Sequence, residues 1–400
     1  MKNINFTCPF CSLLCDDIQL TVNNNNFKQL NSNCSILSHS LKKKVKDQFA
    51  SINGKKINIT KAISSLSSLL KKSKATLFAG MGTDIKGTKA TLKIADKFKC
   101  IIDHFSGDSY VKNIKSIQEE GGFFLTLSEL KNRSDTIIII QSSNDELPRL
   151  FEKYIFSKKT INNLKKRNLV FIGNKAPQFI YKNKKKFNFN HIKLNSINLL
   201  NFISSLRNSI KSDITEIKDK KILSLLKLFK QTNYGSILWS IKELDNSISD
   251  LIVTEINLLI QDLNKFTRFA GLSLTGSEHI LTVNEVLLWQ TGFPIRTSFE
   301  KGFPVHDIDQ FSTKRLIDKK EIELAIWINS FNKKIKTVLI GIPSHPQKKD
   351  VDIFIPVGTP GLDHNSHLLR IDKVVSLPLK KIRNISLPSV DYVLNKMGEI

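Results

Sequence analysis

Short apolar, β-branched runs alternate with helical patterns along most of this chain. The runs Ala75–Ala79, Cys100–Asp103, Asp135–Gln141, Leu169–Gly173, Ser236–Trp239, Phe266–Leu274, Leu324–Asn329, Thr337–Ile342 and Val351–Val357 read as strands. Several are almost wholly apolar, which suits parallel strands covered on both faces rather than strands with one wet face. Between them, Lys61–Leu70, Thr88–Phe98 and Ile241–Leu263 carry apolar residues at helical spacing. The alternation predicts an α/β architecture with right-handed crossovers, and ligand sites beyond the carboxyl ends of the strands. Residues 1–55 differ, being rich in asparagine and turns, and the tract Ser157–Asn190 is dense in Lys and Asn around one strand and reads as a poorly packed surface segment. No internal repeat has a fixed period.

At 400 residues the chain can bury a sizeable core in two or three domains. Its longest apolar runs, such as Leu324–Ile328, are strand-sized, so a membrane span is not expected. The opening Met-Lys-Asn-Ile-Asn has no apolar signal core, and the expected location is the cytoplasm. The net charge of +25 invites a nucleic-acid reading. However, the excess is mostly Lys, spread along the chain, and no zinc-finger or RNP-type pattern accompanies it. Lys, Asn and Ile share A/T-rich codons, so genome composition is a sufficient cause. Runs such as Lys42–Lys44 and Lys184–Lys186 read as solvated faces, while a diffuse positive field favours anionic substrates or acidic partners.

Four of the five cysteines lie early, as Cys8, Cys11, Cys15 and Cys34. Cys-x2-Cys-x3-Cys with a fourth thiol nearby is metal-ligand spacing, open to zinc or to a [4Fe–4S] cluster. Apolar residues in the intervals favour the cluster by shielding it from water. The rival readings are disulfides, which need an oxidising compartment, and a former ligand loop holding free thiols.

Three other stretches carry candidate chemistry. Gly80 and Gly82 follow a strand and precede a helix, a phosphate-cradling position, yet G-x-G-x4-G is not the dinucleotide fingerprint and an ordinary glycine turn explains it as well. His364 and His367, beside Asp363, are candidate ligands or proton carriers against a reading as polar loop residues. His104, after the strand end at Asp103, is balanced in the same way. Arg296, in a dense turn with Gly-Phe-Pro repeated just downstream, suits a carboxylate, a formyl oxygen or a phosphate. No Ser or Cys nucleophile stands with a base at recognisable spacing.

Taken in order, Cys8-Pro-Phe-Cys-Ser-Leu-Leu-Cys-Asp-Asp17, Leu77-Phe-Ala-Gly-Met-Gly-Thr-Asp84, Trp289-Gln-Thr-Gly-Phe-Pro-Ile-Arg296 with Gly302-Phe-Pro, and Pro356-Val-Gly-Thr-Pro-Gly-Leu-Asp363 with Arg370-Ile-Asp372 resemble the B subunit family of formylmethanofuran dehydrogenase over nearly the whole chain. They look closest to its relative in the methylotroph formyltransferase/hydrolase complex. The resemblance implies a molybdopterin-oxidoreductase fold without the C-terminal barrel. It implies a cysteine-rich head over 1–55, a Rossmann-like domain over 56–140 and 325–400, and a second Rossmann-like domain inserted over 141–324.

The same resemblance implies a [4Fe–4S] cluster at Cys8, Cys11, Cys15 and Cys34. Redox members hold tungsten or molybdenum between two pterin dinucleotides, beside a Cys-His pair. Here that region reads His104-Phe-Ser-Gly-Asp-Ser-Tyr110, without cysteine. Only the oxygens of Asp108 and Ser109 are left as ligands for a metal that prefers a soft one. The implied protein is therefore a scaffold without the tungsten or molybdenum pterin. It would sit with formyltransferase, zinc amidohydrolase-type and C-type subunits that convert formyl-tetrahydromethanopterin to formate through a methanofuran-type carrier. Arg296, His364 and His367 would line the old cavity, with Gly80, Gly82 and Ser109 on the cofactor side. The alternatives are an active tungsten or molybdenum dehydrogenase and a Lys-rich nucleic-acid-binding protein with a zinc head.

Overall fold

All nine apolar runs form strands in the computed structural model, which describes residues 2–43, 45, 48–143, 145–156, 161, 166–211, 217–244, 247–275, 277–331, 338–341 and 351–400. Lys44 of the first lysine run, and the ends Thr337 and Ile342 of one predicted strand, lie outside the described residues. The chain forms two units, one comprising Met1–Asp108 with Gly276–Ile400 and the other Ser109–Thr275. Sequence placed the borders near 140/141 and 324/325. The strand Thr136–Ile140 instead pairs within the second unit, and the short strands Thr297–Ser298 and Val305–His306 pair within the first.

The first unit is built on a nine-stranded sheet. Its parallel centre runs Ile101–Ile102, Thr76–Gly82, Leu324–Asn329, Val338–Gly341 and Ile353–Pro356, with antiparallel strands added at both edges. Every residue of Thr76–Gly82 is buried, as expected of a central strand covered on both faces. Helices Ile59–Lys72, Ile85–Phe98 and Val390–Glu399 present their apolar stripes inward, and the buried Ser67 hydroxyl donates to the Met397 carbonyl.

The strand pair at the centre is irregular. Its register shifts between Trp327 and Asn329, opposite Gly80 and Met81, both at positive φ. A Cβ on Gly80 would lie 2.9 Å from the Ile328 carbonyl oxygen, at a φ of +75. Glycine is thus required by the bulge itself. Gly80→Ala is expected to cost roughly 1–3 kcal/mol by denaturant titration. An unchanged midpoint would show that the bulge relaxes freely.

The N-terminal residues form a separate three-stranded antiparallel sheet of Lys2–Phe6, Ile18–Asn23 and Asn26–Gln29. Asn24 and Asn25 both take positive φ in the hairpin, the conformation asparagine tolerates best among non-glycine residues. Cys8, Cys11 and Cys15 occupy the connection between its first two strands.

The second unit is a five-stranded, wholly parallel sheet in the order Phe187–Ile192, Arg167–Ile172, Thr136–Ile140, Tyr234–Trp239, Arg268–Ser273. Helices Ser196–Lys211, Lys220–Gln231 and Ser249–Leu263 bury Leu199, Phe202, Leu225, Ile256 and Ile260 against it. The last of these starts later than its sequence pattern, after a short 3-10 turn at Ile241–Glu243. The lysine-dense tract is more ordered than expected, because its described part holds two strands, the outer one anchored by buried Phe187 and Ile192. None of the sheets closes into a barrel among the described residues.

Candidate functional site

The four N-terminal cysteines are buried and form no disulfide. The Cys8 amide donates to the Cys15 carbonyl at 2.9 Å and the Leu14 amide to the Cys11 carbonyl at 3.2 Å, which folds the loop back on itself. Cys34 sits at the N-cap of helix Ser35–Leu41. Burial pushes the Cys8 thiol well above its ordinary range, and Cys11, Cys15 and Cys34 add to the rise. The Cys11, Cys15 and Cys34 sulfurs therefore stand within electrostatic reach of Cys8, whose neutral thiol form is favoured. A bound cation reverses that balance, because it favours thiolate. The donor set suits a Cys₄ centre, although among the described residues no three His, Cys, Asp or Glu side chains stand in metal-site geometry. Cys100 is apart from this group, fully buried at a strand start, with its thiol pushed up to about 12 by burial and then by Glu300.

Beyond the carboxyl end of Thr76–Gly82, where strand order reverses, lies a second polar group. Asp84 caps helix Ile85–Phe98 by accepting from the Gly87 amide at 2.7 Å. It also accepts from the Ser366 hydroxyl and faces His364 Nε2 at 3.6 Å. Burial alone would raise its carboxyl, but bonds from His364, Ser366 and Gly87 outweigh that and hold it below the ordinary value. His364 thus belongs to a buried cluster. His367 does not join it, because strand Ser366–Leu369 alternates and turns His367 outward. Asp363 is committed elsewhere, bidentate to buried Arg383 at 2.6 and 2.7 Å. Of the two candidate glycines, Gly80 is explained by the bulge, while Gly82 faces Glu278 and Asn329 at ordinary contact distance.

The segment after Ile101–Ile102 is organised from within. His104 is buried, accepts from the Ser106 amide at 3.0 Å and lies tilted against the Phe105 ring, with centroids 4.5 Å apart. Arg296, with a φ of +67, is also buried. Its guanidinium holds Asp108 and the Ile308 carbonyl, with Nε 3.5 Å from Asp103. Asp103 in turn accepts from the amide and hydroxyl of Thr313 at 2.8 and 2.7 Å. Burial raises the Asp103 carboxyl, and Arg296 and Thr313 pull it back only in part. The arginine expected to meet a substrate is instead an internal clamp on the 103–108 turn. Ser109 is half-buried in the first turn of helix Gly107–Glu120.

In the second unit, the equivalent switch-point crevice lies beyond Thr136–Ile140 and Tyr234–Trp239 and measures about 250 Å³. The Glu243 carboxylate bridges it, accepting from the Ser143 amide at 2.8 and 2.7 Å and from its hydroxyl at 3.0 Å. Lys242 pairs with Glu146 across the same gap at 2.8 Å. An internal carboxylate thus holds backbone N–H that an anionic ligand would otherwise use.

Sequence reasoning missed Asp84, Arg383, Asp103, Glu243 and His279. Only Asp84 left a local signal, an aspartate between a strand and a helix at the N-cap position.

Two sheet-centred α/β units with a buried cysteine loop define the class of fold. Comparison with known proteins supplies the relatives. No family model matches the chain. It is 22% identical to the B subunit of tungsten-containing formylmethanofuran dehydrogenase 2 from Methanococcus maripaludis, over 94% of this chain and 93% of that protein. It is 23% identical to the Fhc B subunit of the formyltransferase/hydrolase complex from Methylorubrum extorquens, over 70% of this chain and 74% of that one. Among solved structures, a chain of the M. extorquens formyltransferase/hydrolase complex FhcABCD, crystallised with methylofuran, superposes with a TM-score of 0.75 at 20% identity, covering 88% of this chain and 98% of that chain. The chain is thus a homologue of formylmethanofuran dehydrogenase B and Fhc B subunits, as its motifs indicated.

Proposed function

We propose that this chain is the B subunit of a formyltransferase/hydrolase complex of one-carbon metabolism and acts there as a scaffold without redox chemistry of its own. The complex would move a formyl group from tetrahydromethanopterin to a methanofuran-type carrier and release it as formate. Formyltransferase, zinc amidohydrolase-type and C-type subunits would do the chemistry. The homology to Fhc B supports the assembly. The positive charge of the chain suits acidic partner surfaces. No helix among the described residues is long and apolar enough to cross a membrane.

The observation that carries the scaffold reading is the 103–108 turn. A tungsten or molybdenum centre beside His104 needs a ligand there, and the segment offers no thiolate. The Asp108 carboxylate is held by Arg296, which brings a positive charge to the place a metal would take. These residues do not fit the pterin metal. Glu243 in the second unit points the same way. In the finer reading the fold is molybdopterin-oxidoreductase-like, with a cysteine-rich head over 1–55 and one Rossmann-like unit inserted in the other.

The head is a separate matter. Cys8, Cys11, Cys15 and Cys34 would hold a [4Fe–4S] cluster, which when bound stabilises the thiolate form that burial disfavours at Cys8.

Anaerobic isolation of the native complex and measurement of iron, sulfide, zinc, tungsten and molybdenum per copy of this chain tests both parts. About four irons per chain, with tungsten and molybdenum at background, is the expected result. Stoichiometric tungsten or molybdenum would overturn the scaffold reading and make the chain an active dehydrogenase. Four thiols without iron would leave the scaffold standing and remove the cluster. Co-purification with nucleic acid in a salt-dependent manner, without partner subunits, would favour the Lys-rich binding protein instead.

A further inference from the structure

Just before helix Ile280–Thr291 the chain kinks, and Glu278 and His279 both enter the left-handed region, at φ 53 and 57. Neither is glycine, so the kink stores backbone strain that persists only where the surroundings fix it. Helix capping does not account for it, since His279 makes no side-chain cap bond. What the kink achieves is the placement of an imidazole. His279 is buried, and its Nε2 lies 2.5 Å from the carbonyl of Pro9, the residue directly after Cys8 in the Cys8-Pro9-Phe10-Cys11 turn. That geometry assigns the tautomer with Nε2–H as donor, while Nδ1 is buried with no hydrogen-bond partner. The ring rests on Phe331, with centroids 4.5 Å apart. His104 supports the kink from the other side, its Nε2 3.4 Å from the Glu278 carbonyl.

Further along the loop the ties are of other kinds. The Ile371 amide donates to the Ser12 carbonyl at 2.8 Å, and Leu14 packs with Leu368 and Leu379. These hold its far end. The bond from His279 holds its near end, between two of the thiols.

We infer that His279 is a positioning residue for the cysteine loop: its bond to Pro9 keeps the Cys8–Cys15 arch closed over the four thiols and sets their access to solvent, oxidant and incoming metal. The inference goes beyond the scaffold reading and does not depend on a cluster being assembled, because it concerns the loop's closure. Opening the arch exposes sulfurs that are shielded in the closed form, and exposed thiols react faster.

The test uses the metal-free complex, treated with iodoacetamide and read peptide by peptide by mass spectrometry, for the native protein and for His279→Ala and His279→Gln. Cys100 serves as an internal control, because it is a fully buried thiol of the same unit, just before strand Ile101–Ile102 and outside the Cys8–Cys15 loop. His279→Ala is expected to alkylate Cys8 and Cys11 at least about tenfold faster than the native protein while Cys100 stays slow. Glutamine keeps an N–H donor for the Pro9 carbonyl and is expected to restore slow alkylation. If Cys100 accelerates with the others in His279→Ala, the alanine variant has unfolded and His279→Gln decides, slow supporting the inference and fast overturning it. Equal rates in the native and alanine proteins overturn it outright. A parallel readout is iron and sulfide retained after anaerobic isolation, which should fall in the alanine variant and hold in the glutamine variant wherever the native complex carries them.

Discussion

Arg296→Met should destabilise this protein by about 3–5 kcal/mol, the usual cost of breaking a buried ion pair from one side. Arg296 and Asp103 are both almost fully buried, and the guanidinium also holds Asp108 and the Ile308 carbonyl. Removing it strands a carboxylate that burial already raises. That rise limits the damage, since Asp103 without its cation takes up a proton rather than remaining charged. Arg296→Lys should recover only part of the loss, because one ammonium cannot reach two carboxylates and a carbonyl in the guanidinium's fork geometry. Adding Asp103→Asn to the methionine variant should recover more, by removing the stranded group. Hydrogen exchange across 101–108 in the isolated complex reports the local opening energy directly. A methionine variant that keeps its protection there and loses formyl turnover would return Arg296 to a catalytic role.

The case of Arg296 shows where reading a sequence stops. Its surroundings, a dense Gly-Phe-Pro turn, signal function locally, yet its partner Asp108 is 188 residues away and only topology brings them together. The same holds for His279 with Pro9 and for Asp84 with His364. Cysteine spacing was legible because its logic is local, four thiols placed early in the chain. Central strands were legible too, since Thr136–Ile140 is apolar at every position after the first and buried throughout. The edge strand Phe187–Ile192 was not, because its exposed face carries Asn188 and Asn190, and a lysine run precedes it. Strands of two residues, such as Thr297–Ser298, have no pattern to read.

His279 also fixes how the protein responds to acid. Burial lowers its pKa to about 4, although the Pro9 carbonyl and Asp84 favour the charged form and oppose the shift. In the unfolded chain the same imidazole titrates near 6.5. Between these values the unfolded state binds the proton and the native state does not, so stability falls as pH drops from about 6.5 to about 4. Integrated over that window the loss is on the order of 3 kcal/mol. Other groups act in different windows or with the opposite sign. Asp84, whose carboxyl is held low, loses its contribution only below the ordinary carboxylate range. Asp103, whose carboxyl is raised, gains relative stability as pH falls through its native value. The comparison that isolates the histidine is therefore native protein against His279→Gln, with denaturant midpoints taken at half-unit steps from pH 7 to pH 4. The native curve should fall more steeply, and the two should converge or cross toward pH 4. Parallel curves would mean that His279 takes up its proton without cost, and that another group governs the acid limb.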